Sequence, residues 1–118
     1  VQIHHLAFRT DDVSRLASFY TDVLGFTVTR HVAGPHARVW LRAGESLLMI
    51  EPREAGEPTI APASMELVAF RVSPSTRAAL EQKLEAAGTA IEGRTAYTSY
   101  FRDPDGRRLA ISHYDEEA

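Results

Sequence analysis

Two histidines in tandem, His4 and His5, open a short alternating segment, and Arg9 lies four residues on at the same strand parity as His5. An imidazole titrates at about 6.5 in water. His5 could therefore move a proton at neutral pH, or donate a hydrogen bond to a ligand. The plainer alternative is a hydrogen-bonded histidine without chemistry, and His4, on the other face of a regular strand, fits that role better. Arg9 and Arg71 could offer two guanidinium forks to an anion, or sit at strand ends beside surface carboxylates. Trp40, Tyr100 and Phe101 supply aromatic faces for a flat ligand or for ordinary packing, with Tyr100 and Phe101 on opposite faces. His31 and His36 flank a Gly34-Pro35 turn and read as exposed loop residues.

Other chemistries lack their residues. The chain contains no Cys, which removes disulfides, thiolate metal sites and thiol nucleophiles. No phosphate-cradling glycine loop, nucleophile elbow or His-Glu-x-x-His helix is present. The net charge of −3 comes with no basic run, so nucleic acid is not an expected partner. No apolar run reaches the ~18–20 residues of a membrane helix. No signal peptide is read at the start, and a cytoplasmic location is expected. With 118 residues, 44% of them hydrophobic and 25% charged, the chain has the makings of one globular domain.

The elements that must position these residues come as a repeat. Ala7-Phe8-Arg9 recurs as Ala69-Phe70-Arg71, an offset of 62, and the same offset relates Gly44 to Gly106, Leu47 to Leu109 and Leu48 to Ala110. In the first half, a strand over 2–9 precedes a helix capped by Asp11 or Asp12 and stopped at Gly25; strands follow over 26–32, 37–42 and 46–51. The second half repeats this order. A strand over 65–72 leads to a helix capped by Ser73 or Ser75 and stopped at Gly88, a strand starts at 89–91, and a hairpin joins 97–102 to 108–113 across Asp103-Pro104-Asp105-Gly106. Module 1 is thus 1–51 and module 2 is 65–114. A proline-rich linker covers 52–64, and the acidic tail 115–118 is expected to be solvated.

Two βαβββ modules with Ile3-His4-His5-Leu6-Ala7-Phe8, Ser18-Phe19-Tyr20, Leu24-Gly25-Phe26 and Phe101-Arg102-Asp103-Pro104-Asp105-Gly106 resemble the vicinal oxygen chelate superfamily. That superfamily contains the glyoxalases, the bleomycin-resistance proteins and the extradiol dioxygenases. The resemblance covers the whole chain. It implies an α+β fold in which the two modules form a curved mixed sheet around a concave pocket, with the helices outside. It also implies a homodimer and metal ligands on the first and fourth strands of each module. Carried over, those slots fall on His5, Leu48, Leu67 and Ala110, of which only His5 can bind a metal. Glu51 and Glu66 could complete a site only if strand phase brought them beside His5; regular alternation puts both on the opposite face.

The resemblance therefore implies a small-molecule binding protein of the bleomycin-resistance kind with a metal-free pocket. His5, Ala7, Arg9, Trp40, Leu48, Leu67, Ala69, Arg71, Tyr100 and Ala110 are the expected lining, and no cofactor is expected. The alternative is a lyase, isomerase or dioxygenase using one divalent metal ion, held by His5 with Glu51 or Glu66. A third reading, a metal-free isomerase or lyase with His5 as base, lacks a second catalytic group. A fold alone does not choose among them.

Overall fold

The computed structural model describes residues 1–115. The tail expected to be solvated therefore lies, beyond Asp115, outside the described residues. The chain divides into two compact units, Val1–Thr59 and Ile60–Ala118.

In the first unit, β1 (His5–Thr10) leads to α1 (Val13–Ser18) and a π-helical turn (Phe19–Val23), then to β2 (Thr27–Val32), β3 (Arg38–Ala43) and β4 (Ser46–Pro52). Asp12 caps α1 by accepting the backbone N–H of Arg15. Gly25, at φ 79°, turns the chain out of the π turn. The sheet order is β1-β4-β3-β2, with β1 parallel to β4 and the other pairs antiparallel. One face buries Val39, Leu41, Leu48 and Ile50, and Leu16, Phe19 and Tyr20 of the helical segment are buried with them. Tyr20 has no exposed surface, and its ring meets those of Phe8, Phe19 and Phe26.

The second unit repeats the scheme with β5 (Leu67–Arg71), α2 (Pro74–Ala86), β6 (Gly93–Arg94), β7 (Thr98–Arg102) and β8 (Arg108–Ser112), in the order β5-β8-β7-β6. Ser73 caps α2, and Pro74 occupies its first turn. At the other end Gly88 adopts φ 80°; its N–H bonds to Glu85 O and the Thr89 N–H to Leu84 O, closing a Schellman motif. That motif consumes Thr89, so the strand expected at 89–91 begins only at Gly93. Asp103 is buried and builds the β7–β8 turn by accepting the N–H groups of Asp105 and Arg107 and pairing with the Arg107 guanidinium. Arg77 of α2 donates to Ser99 Oγ and to the carbonyls of Thr95, Ala96 and Thr98, tying the helix to β7.

The expectation of one curved mixed sheet around a concave pocket is not met. The described strands make two separate four-stranded sheets, and each runs in open order from one edge strand to another. Neither closes on itself, and no ladder joins β1–β4 to β5–β8 among the described residues. Each module satisfies its own four strands, so the duplication yields two complete sheets. No helix is long and apolar enough to cross a membrane among the described residues.

Two measurements check this packing. Leu48 is 2% exposed on the helix-covered face, so Leu48→Ala should lose about 2–5 kcal/mol in chemical denaturation; a loss within about 0.5 kcal/mol would place it on a solvent face. Glu81 of α2 is pushed up by partial burial, but hydrogen bonds from Arg94 and Ser99 outweigh this and hold its carboxyl below the ordinary value of 4.5. A depressed folded pKa stabilises above the unfolded pKa and is lost as pH falls through the folded one. The Tm gap between the wild type and Glu81→Gln should therefore be largest near neutrality and shrink below about pH 4.5.

Candidate functional site

The β1–β4 ladder decides which side chains share a face. His5 pairs with Leu47, Ala7 with Met49 and Arg9 with Glu51, while Leu6 pairs with Leu48 and Phe8 with Ile50. Arg42 then adjoins Leu47, and Trp40 adjoins Met49. Side chains alternate along a strand, so His5, Ala7, Arg9, Arg38, Trp40, Arg42, Leu47, Met49 and Glu51 stand on the face away from α1. Leu48 stands on the other face. Its expected place beside His5 is corrected by one residue of register.

The same shift corrects the repeat. Trp40 and Ala7 flank Met49, and Tyr100 and Ala69 flank Ala110. Met49, not Leu48, is thus the counterpart of Ala110. From β1 to β4 the second module is the shorter by one residue, because its paired Ala69 and Ala110 lie 41 positions apart against 42 for Ala7 and Met49. Correcting Leu48 also corrects Glu51, which lies on the His5 face after all. It pairs with Arg9, four residues along β1 from His5, or roughly 13 Å at ~3.3 Å per residue.

On this face a surface cleft of about 300 Å³ is lined by His4, Leu47, Thr29, Trp40 and three arginines, Arg30, Arg38 and Arg42. The His5 ring lies edge-on to Trp40, with centroids 5.1 Å apart. His4 Nδ1 and His5 Nδ1 are 2.8 Å apart, so one ring donates and the other accepts. A β-bulge between Val28 and Arg30 supplies the remaining wall. Regular alternation from Thr27, which pairs with Arg42, would point Thr29 to this face and Arg30 away. The inserted residue instead pairs Arg30 with Trp40 and lets Thr29 Oγ1 donate to the Trp40 carbonyl, so both line the cleft.

The expected anion fork at Arg9 is already engaged. Its Nε donates to Glu51 at 3.1 Å and its Nη1 to Glu57 at 2.7 Å. The Glu57 hydrogen bond above all, with the charges of Glu57 and Glu51, pushes the Arg9 guanidinium up from its ordinary value. Glu57 is held low first by the Glu54 backbone N–H and next by Arg9. This cluster, with Arg53 bonded to Asp11, fastens residues 53–57 of the expected linker onto the first unit.

In the second unit, Leu67, Ala69 and Arg71 share a face with Arg108, Ala110, Ser112 and Tyr100. Leu67, Ala69 and Arg71 are exposed and Ala110 is fully buried. The Arg108 guanidinium covers the Tyr100 ring at 4.7 Å, so that aromatic face is occupied. Glu66 is exposed just before β5. Phe101 is buried on the helix side.

The divalent ion implied by the resemblance finds no matching donor set among the described residues. Among the described residues, no three His, Asp or Glu side chains gather to hold a metal. A catalytic ion takes about three protein ligands. The strand neighbours of His5 on its face are Leu47 and Ala7. Sequence reasoning missed Arg30, Arg38 and Arg42. The alternation Arg38-x-Trp40-x-Arg42 carries a readable signal for two of them, whereas Arg30 depends on the bulge.

Comparison with known proteins places this geometry. The virulence protein STM3117 of Salmonella typhimurium is 30% identical over 125 residues, spanning 96% of this chain and 84% of that one. Among solved structures, a fosfomycin resistance protein, FosX, from Listeria monocytogenes, in complex with Mn(II) and a dihydroxypropylphosphonic acid, matches with a TM-score of 0.82 at 11% identity, covering 98% of this chain and 94% of that one. TnmS3, an antibiotic binding protein from Streptomyces sp. CB03234, matches with a TM-score of 0.73 at 19% identity, covering 95% and 94%. The family model of the Glyoxalase/Bleomycin resistance protein/Dioxygenase superfamily matches residues 2–111, and the chain belongs to that superfamily.

Proposed function

We propose that this chain binds a small molecule in the cleft on the open face of the first sheet, without a resident metal ion. The observation that carries this reading is the cleft itself: about 300 Å³, floored by Trp40 and Leu47 and rimmed by polar side chains. An apolar floor with a few placed polar groups is the usual make-up of a ligand site. His5, edge-on to Trp40, fixes the indole and can hydrogen-bond a ligand through the His4–His5 pair. TnmS3, which shares the fold, is an antibiotic binding protein, and this supports a binding role. A homodimer belongs to the same proposal.

Trp40 is the only tryptophan, so its emission reports the cleft directly. A ligand drawn from a panel of aromatic metabolites and antibiotics should change that emission saturably. It should also raise Tm with concentration, by about 2.7 kcal/mol of stability at a hundredfold excess over Kd. Trp40→Ala should bind at least tenfold more weakly, the loss expected for a ring that supplies ~1.4 kcal/mol or more of stacking. A panel in which no compound moves either signal contradicts the proposal.

A second reading, a divalent-metal-dependent lyase, isomerase or dioxygenase, is favoured by one observation: the His4 and His5 nitrogens converge to 2.8 Å. Two imidazoles supply part of a ligand set, and the remaining oxygens would have to come from the bound molecule or from elsewhere. Elemental analysis of protein purified without chelator tests it. Under the metal-free proposal no stoichiometric Ni, Zn, Mn or Fe is found; a stoichiometric ion lost in His5→Ala would favour this second reading instead.

A further inference from the structure

We infer that the molecule taken up by the cleft is an oxyanion bearing a flat unsaturated group; this inference rests on the cleft being the ligand site and names the class of ligand. The chain as a whole is acidic, with a net charge of −3. Yet the cleft gathers three guanidinium groups and no carboxylate. Arg9, Arg53, Arg94, Arg102 and Arg107 each meet an acidic partner. Arg30, Arg38 and Arg42 form no ion pair among the described residues, where their one side-chain hydrogen bond runs from Arg38 to the His36 carbonyl. Three like charges set side by side repel one another, and an anion between them relieves that repulsion.

Their placement also gives the shape of the ligand. Arg38 and Arg42 stand two residues before and after Trp40 on the same face of β3, and Arg30 pairs with Trp40 from β2. Trp40 thus has an arginine neighbour on either side along β3 and another across the ladder on β2, all lining the cleft. A ring lying on Trp40 would carry its acidic group outward into one of these forks, whose planar N–H pairs match carboxylate or phosphate oxygens. The bulge at Thr29 strengthens the inference, because without it Arg30 would point to the helix side of the sheet.

The test titrates the intact chain with phenyl phosphate, benzoate, inorganic phosphate and phenol, following Trp40 emission and calorimetric heat. Phenyl phosphate or benzoate should bind at least tenfold more tightly than phenol, and their order assigns the acidic group as phosphate or carboxylate. Inorganic phosphate should bind more weakly than phenyl phosphate. Arg42→Gln and Arg30→Gln should each weaken the better acid about tenfold and leave phenol unchanged. Arg15→Gln, on the exposed side of α1, should change nothing. Circular dichroism and Tm confirm that each variant is folded. Phenol binding as tightly as the acids, or acid binding indifferent to both arginine variants, overturns the inference while leaving the cleft as the site. No saturable response from any of the four probes or from the panel of aromatic metabolites and antibiotics overturns both.

Discussion

The parallel ladder between β1 and β4 is the constraint on which the rest of the first unit depends. Its register sets His5 beside Leu47 and Leu6 beside Leu48. A strand has a side-chain period of two, so a slip of one residue would exchange the two faces completely. The observed register turns Leu48 and Ile50 toward the apolar side with Leu16, Phe19 and Tyr20, and frees Leu47, Met49 and Glu51 for the open face. Burying a leucine contributes on the order of 1.5–3 kcal/mol. The opposite register would expose two large aliphatic residues and drive a methionine and a glutamate under the helix. Packing therefore selects the face on which Trp40 and the arginines stand.

The two modules spend the same architecture differently. In the second unit the counterpart of Trp40 is Tyr100, and Arg108 already covers its ring. In the first, Trp40 is met edge-on by His5 and bordered by arginines that form no ion pair among the described residues. The second half instead concentrates its polar bonds on holding itself together. Arg77 gathers three carbonyls, and Asp103 organises a turn around Gly106, whose φ of 92° suits a residue without a Cβ. Duplication has left one module with an open aromatic floor and the other with a closed one.

Much of this was legible in the residues. Asp12, Gly25, Ser73 and Gly88 mark helix ends through local chemistry that needs no tertiary partner, and the Ala-Phe-Arg repeat announced the duplication. The family followed from those marks. Phase was harder to read. One offset of 62 was carried from β1 into β4, although the second module is a residue shorter between those strands, and this put Leu48 where Met49 belongs. Arg9 resembled a ligand fork because Glu51 and Glu57 come from distant sequence. Arg30 was invisible because a bulge, which follows from pairing and not from composition, reversed its side. The single curved sheet was an expectation from the family, and the strand order resolves it into two.

The register can be measured without a ligand, because the chain has no cysteine of its own. Single cysteines at Leu47, Leu48 and Met49, exposed to a thiol reagent under native conditions, read the phase of β4 one residue at a time. Fast labelling at Leu47→Cys and Met49→Cys with protection at Leu48→Cys is the result that the fold requires. Fast labelling at Leu48→Cys with its two neighbours protected would turn the sheet over and remove Trp40 and its arginines from the open face.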